Sequence, residues 1–152
     1  MKTIMTIICF LGLTLTTVAQ DKNEQLYEAV TKNDKDKVEK LIDKGADVNY
    51  IKHVGPWMKV SVLIIAVNNK NIEIAKLLLE NKADVNWKDG FNSSAILYAT
   101  SSGNIEMVKL LLEYGADIND NDGKGNTVLT AAKESKDKDL ISFVEKKLKE
   151  KE

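Results

Sequence analysis

The chain has 152 residues, the length of one ordinary domain. It carries 22 basic residues, every one a lysine, against 23 acidic ones, for a net charge of −1. Without a basic excess or any arginine, nucleic acid is excluded as the main partner, and one histidine with one cysteine leaves most nucleophilic and metal chemistry short of parts.

In chain order, the first element is a leader. Residues 1–19 open with Lys2, run apolar from Ile4 to Leu15 and end on Val18-Ala19. That layout predicts a secretory signal peptide cut after Ala19. A membrane span needs about 20 apolar residues, and this run is shorter and dotted with threonines. The expected location is therefore secreted or periplasmic, with no membrane attachment after cleavage. Cleavage also removes Cys9, leaving no thiol for a disulfide, a nucleophile or a zinc site. Abundant Lys, Asn and Ile without Arg suggest an AT-rich bacterial gene.

The remainder, 20–152, reads as one domain of internal repeats. "EQLYEAVTKN" (Glu24–Asn33) leads into "VEKLIDKGADVN" (Val38–Asn49). After the stretch "YIKHVGPWMK" (Tyr50–Lys59), "SVLIIAVNNK" (Ser61–Lys70) leads into "AKLLLENKADVN" (Ala75–Asn86). The third unit pairs "SAILYATSSG" (Ser94–Gly103) with "VKLLLEYGADIN" (Val108–Asn119). The fourth pairs "TVLTAAKESK" (Thr127–Lys136) with the more polar "DKDLISFVEKKL". The repeats are approximately 22–49, 50–86, 87–119 and 120–150.

Each unit predicts a helical hairpin. In the third, Ile96, Leu97 and Ala99 make a short first helix that Gly103 ends. Ile105, Val108, Leu111 and Leu112 then form an apolar stripe on a second helix, and Gly115 suits its left-handed cap. The Asp-, Asn- and Gly-rich run Asp117–Gly125 predicts an extended turn. No unit can bury its stripe alone, so neighbours must stack. The ends cap the stack: the first unit lacks a preceding turn, and the last carries Glu145 where its neighbours have leucine.

From Lys22 to Leu148 these segments resemble the ankyrin repeat family, with "GNIEMVKLLLEYGADIN" (Gly103–Asn119) and "GADINDNDGKGNTVLTAA" (Gly115–Ala132) carrying most of the likeness. The family's Thr-Pro-Leu-His opening of the first helix stands here as Ser61-Val62-Leu63-Ile64, Ser94-Ala95-Ile96-Leu97 and Thr127-Val128-Leu129-Thr130. The histidine that ties neighbouring turns together in the family is absent from all of them. The resemblance implies an all-α solenoid of about four repeats joined by short extended turns. It also implies a protein partner bound by the turn tips and the exposed ends of the first helices. Position by position, those helix ends are Thr31-Lys32, Asn68-Asn69, Ser101-Ser102 and Glu134-Ser135. The turns add Tyr50, His53, Trp57, Met58, Trp87 and Phe91, expected to be exposed; aromatic and methionine side chains there resemble a hot spot.

Catalysis finds little support. His53 has no cysteine, nucleophile elbow or oxyanion turn near it. A calcium loop built on Gly123 fails at both ends, with Ile118 and Leu129 where oxygen ligands belong. Asp122–Thr127 lacks the spacing of a phosphate loop. No cofactor or metal is expected. Asn92-Ser93-Ser94 is a formal glycosylation acceptor, relevant only to a eukaryotic secretory route.

The expected function is a non-catalytic, exported, monomeric protein-binding module. The alternative is a structural, protective or inhibitor-like (immunity-type) small solenoid. Against the 33-residue period the second unit is four residues too long, and the surplus falls between Asn49 and Ser61. Its flanking helices keep their pattern, so an enlarged recognition turn bent at Gly55-Pro56 is predicted, carrying His53, Trp57 and Met58.

Overall fold

The computed structural model describes residues 21–151; the expected leader at 1–19 lies outside the described residues. Among the described residues eight helices form four antiparallel pairs: α1 (21–31) with α2 (Lys35–Asp43), α3 (Val62–Asn68) with α4 (Ile72–Glu80), α5 (Ala95–Ser101) with α6 (Ile105–Glu113), and α7 (Val128–Ser135) with α8 (Lys138–Lys149). The first helices pack side by side, α3 on α5 and α5 on α7. The second helices make a parallel row, α2 on α4 and α4 on α6. This is the expected all-α repeat solenoid. Among the described residues no helix is long and apolar enough to cross a membrane.

Local chemistry sets where the helices begin and end. Each second helix starts on a side chain that accepts a backbone N–H: Asp34 from Lys37, Asn71 from Ile74, Asn104 from Met107, Asp137 from Leu140. Such caps contribute about 1 kcal/mol each. First helices start on Ser61 and Thr127, which cap in the same way. After the second helices the chain turns through a left-handed residue, Gly45, Lys82 or Gly115. Glycine adopts that backbone freely; Lys82, at φ 68°, does so at a cost.

The core runs unbroken from Leu26 to Val144, and its fully buried members recur with the repeat: Leu26, Leu63 and Ile96 on the first helices, Leu78 and Leu111 on the second. Each contributes roughly 1.5–3 kcal/mol by leaving water. The stripe of α6 is rotated from expectation. Met107, Val108, Leu110 and Leu111 are buried, while Ile105 and Leu112 are only half-buried. The helix is covered by α4 as well as α5, so its buried arc is wider than one stripe.

The extra residues of the second unit build two strands, β1 (Ile51–His53) and β2 (Lys59–Ser61), paired antiparallel as Ile51 with Ser61, Lys52 with Val60 and His53 with Lys59. The enlarged turn is thus a β-hairpin. The other two turns keep only the root of this pairing, as single bridges from Lys88 to Ser94 and from Asn121 to Thr127.

Candidate functional site

Comparing the three turns shows what the four extra residues do. Ile51–Ser61, Lys88–Ser94 and Asn121–Thr127 occupy the same repeat position. In each turn a five-residue loop is closed by one bond from the first residue's N–H to the fifth residue's carbonyl: Val54 to Met58 at 2.9 Å, Asp89 to Ser93 at 3.1 Å, Asp122 to Asn126 at 3.0 Å. The loop is the same size in all three. The surplus enters as two residues on each strand, which raises the second loop by about 7 Å at the usual rise of an antiparallel strand.

The raised loop also differs in chemistry. Asp89 and Asp122 brace their own loops, each accepting two backbone N–H bonds, from Phe91 and Ser93 and from Lys124 and Asn126. Val54 stands in their place and can accept none. The raised tip reads Val-Gly-Pro-Trp-Met, with Trp57 87% exposed and Val54 and Met58 also exposed. Phe91, on the neighbouring tip, is exposed beside it.

What steadies the raised loop is the next turn. A Cβ built on Gly90 would stand 2.3 Å from the Trp57 carbonyl oxygen and 3.9 Å from the Lys59 nitrogen. Only glycine permits that approach. Gly90 does not have a left-handed backbone, so here the need is for space and not for torsional freedom.

Beneath the two tips lies a cleft of about 260 Å³ between the hairpins and the first helices, lined by Tyr27, Val54, Met58, Ile65, Phe91 and Tyr98 among others. Half-buried Asp89 sits in its wall and accepts a hydrogen bond from the Tyr98 hydroxyl. Burial and that bond push the Tyr98 hydroxyl far above the ordinary tyrosine value.

Residues 26–122 and, overlapping them, 63–149 match the model of the family described as Ankyrin repeats (3 copies). The chain belongs to the ankyrin repeat family. Ankyrin repeats generally mediate protein–protein interaction and are generally non-catalytic. The chain is also similar to the human protein "Mitochondrial disaggregase", 37% identical over 73 residues. That stretch is 48% of this chain and spans 10% of the relative's length, so the likeness is one of repeat segments.

This ankyrin stack ties its turns together without the family's histidine. The asparagine closing each Asp-Val-Asn run reaches across to the next repeat. Asn49 accepts from the Asp84 N–H at 2.7 Å and donates to the Lys82 carbonyl at 3.2 Å. Asn86 repeats the pattern, accepting from the Asp117 N–H at 3.0 Å and donating to the Gly115 carbonyl at 3.1 Å. Within the first repeat, Asn23 on α1 accepts the equivalent bond from the Asp47 N–H. A further link joins the third and fourth repeats, where the Ser94 hydroxyl donates to buried Asp120, which also pairs with Lys88 at 2.5 Å. Ser94 is thereby diverted from capping α5.

The residues singled out from sequence divide into two groups. His53, Trp57, Met58 and Phe91 lie on the exposed parts of the finger and its neighbour, and Asn68 and Ser101 are exposed on the first-helix ends. Tyr50 and Trp87 do not sit at tips. They share one repeat position with Asp120, at the root of the turn, where the chain leaves the second helix beneath its neighbour. Both are half-buried and pack against the core. Trp87 lines a cleft of about 220 Å³ with Val48 and Leu63. Tyr50 donates its hydroxyl to Glu24 at 2.8 Å, and Lys52 pairs with the same carboxylate while lying 5.5 Å over the Tyr27 ring. The bonds from Lys52 and Tyr50 lower the Glu24 pKa; burial, then the bond to Glu24, raises that of Tyr50. Asn69, though exposed, spends its amide on the Val30 and Thr31 carbonyls of the preceding repeat, and Ser102 bonds back to the Ala99 carbonyl.

Asp89 and Tyr98 are not among the residues singled out from sequence. Their signal was present: Asp-Gly opens both short turns, at Asp89-Gly90 and Asp122-Gly123, and Tyr98 interrupts the aliphatic run of α5. Among the described residues no group of three or more His, Cys, Asp or Glu could hold a metal ion.

Proposed function

We propose that this ankyrin repeat protein is an exported, non-catalytic, monomeric binding module. It captures another protein with its raised hairpin and the adjoining ends of the first helices. The observation that carries this reading is Trp57, 87% exposed on an apolar loop lifted above the other turns and braced by Gly90. A tryptophan displayed on a held loop loses little entropy when it is buried by a partner, which is how interface hot spots work. Export rests on the leader-like residues 1–19.

Two experiments test the two halves. The chain is immobilised and used to capture proteins from an envelope extract of its source organism, beside Trp57→Ala and Trp87→Phe. Trp57→Ala should lose the captured protein while melting like the wild type; equal capture sinks the finger as the contact. For export, the protein is recovered from fractionated cells and its N-terminus determined. A start at Gln20 in the exported fraction is expected, and an intact Met1 or Lys2 in the cytoplasm refutes it.

A further inference from the structure

The cleft under the two tips has a feature that an apolar docking groove does not need. Asp89 is a half-buried carboxylate whose Oδ1 is used by two backbone N–H groups and whose Oδ2 takes the Tyr98 hydroxyl. These bonds fix its position, but every donor is neutral, so the charge is not cancelled. Among the described residues no lysine nitrogen lies within 4.0 Å of it. Two of the nearby cations are engaged elsewhere. Lys88, its chain neighbour, is bound to Asp120, and Lys52 is bound to Glu24. Lys59 lines the cleft but is exposed, and it forms no ion pair among the described residues. Phe91 and Tyr98 supply aromatic walls beside the carboxylate. A fixed negative charge flanked by aromatic faces attracts a cation through both the carboxylate and the rings. The chain already makes such a contact at the edge of this cleft, with Lys52 over Tyr27.

We infer that the cleft beside Asp89, Phe91 and Tyr98 is a socket for a basic side chain, the lysine ammonium or arginine guanidinium of the bound protein. This inference rests on the finger face being the binding face, and it gives that face a charge preference. The partner segment carries its cation into the socket while apolar residues on either side meet Val54, Trp57 and Met58.

The test titrates four small probes of similar length into the full chain and follows backbone amide resonances. n-Butylammonium and n-butylguanidinium should shift Asp89, Phe91 and Tyr98 saturably, at least about tenfold more tightly than neutral 1-pentanol. Pentanoate should not bind. A stronger response to the guanidinium or to the ammonium tells which basic residue the socket prefers. Asp89→Asn keeps a side-chain oxygen to accept both backbone N–H groups and should abolish the cation preference. Tyr98→Phe keeps the ring and releases Oδ2, and Lys59→Met removes the competing amine, so both should bind the cations at least as tightly as wild type. A purely structural Asp89–Tyr98 pair predicts that Tyr98→Phe behaves like Asp89→Asn, and this result overturns the inference. So does equal binding of 1-pentanol, no saturable shift with either cation, or pentanoate binding that Lys59→Met removes. If Asp89→Asn fails to fold, the wild-type probe ranking and the other two variants still decide. Trp57 is not in the cleft wall, so Trp57→Ala should keep cation binding. Loss of partner capture in that variant without any wild-type cation binding refutes the socket alone. Unchanged capture with cation binding intact refutes the finger alone.

Discussion

Replacing Gly90 by alanine probes how the raised hairpin is held. The new methyl group would lie 2.3 Å from the Trp57 carbonyl oxygen, whereas ordinary contact begins at 3.4 Å. The two turns must therefore separate by on the order of 1 Å, and the atom in the way is backbone, which cannot rotate aside. Overpacking a filled site costs about 1–3 kcal/mol. The hairpin stands clear of the core and can lean away, which favours the lower end of that range. Thermal unfolding followed by circular dichroism should show a midpoint about 3–6 °C lower. Amide resonances of residues 54–60 should move while those of α6 and α8 stay. Gly55→Ala is the control, because nothing lies within 4 Å of its Cβ and its backbone is not left-handed. It should be neutral or stabilising by about 0.4–1 kcal/mol. If Gly90→Ala leaves both the midpoint and the finger resonances unchanged, Gly90 is not the brace and the close approach holds nothing in place.

Lys82→Gly should stabilise the chain by up to about 1 kcal/mol in denaturant titration, because Lys82 holds φ 68° where Gly45 and Gly115 stand in the neighbouring repeats; a loss of stability would contradict it. Asn86→Ala removes both bonds to the third repeat's end and should cost about 1–2 kcal/mol by the same assay, with Asn49→Ala alike. Glu24 has a folded pKa below its ordinary 4.5, held there by Lys52 and Tyr50, so it adds stability that is present above 4.5 and lost as pH falls through the folded value. The carboxylate is about one-third exposed, so the effect is modest. The stability gap between wild type and Glu24→Gln should be steady above about pH 4.5 and close as the pH falls below it; a gap constant with pH would disprove the pairing.

Much of the fold could be read from periodicity. The 33-residue spacing, the glycines after the helices and the Asn/Asp and Ser/Thr caps all act locally, so the local sequence records them. The four surplus residues locate an enlarged turn, but that it is a paired hairpin is not visible in them. Lys52, His53, Lys59 and Val60 show no alternation, and cross-strand pairing is settled only when the two arms meet. Tyr50 and Trp87 look like tip residues in the sequence because aromatic residues in turns are expected to be exposed. Their burial depends on the neighbouring repeat, which lies over the root of each turn. The same holds for Asn49 and Asn86. Their recurrence was plain, but its reason needs the next repeat's backbone within reach. Asp89 escaped notice because a turn-forming aspartate explains itself; only Tyr98, nine residues on, adds the cleft.

The equal lengthening of both hairpin strands has a consequence for how such a stack can change. Side chains alternate faces along a strand, so one added residue per arm would swing every outward group of the loop inward. Two per arm restore the original facing. Reach in this scaffold is therefore available only in discrete settings, and the second turn occupies the next permitted one above its neighbours. Since Ile51–Ser61, Lys88–Ser94 and Asn121–Thr127 pair at the same position of the repeat, residues 52–60 form a portable cassette. Grafted between Lys88 and Ser94 it would have Gly123 in the following turn where its own setting has Gly90, whereas between Asn121 and Thr127 it would have no following turn to lean on.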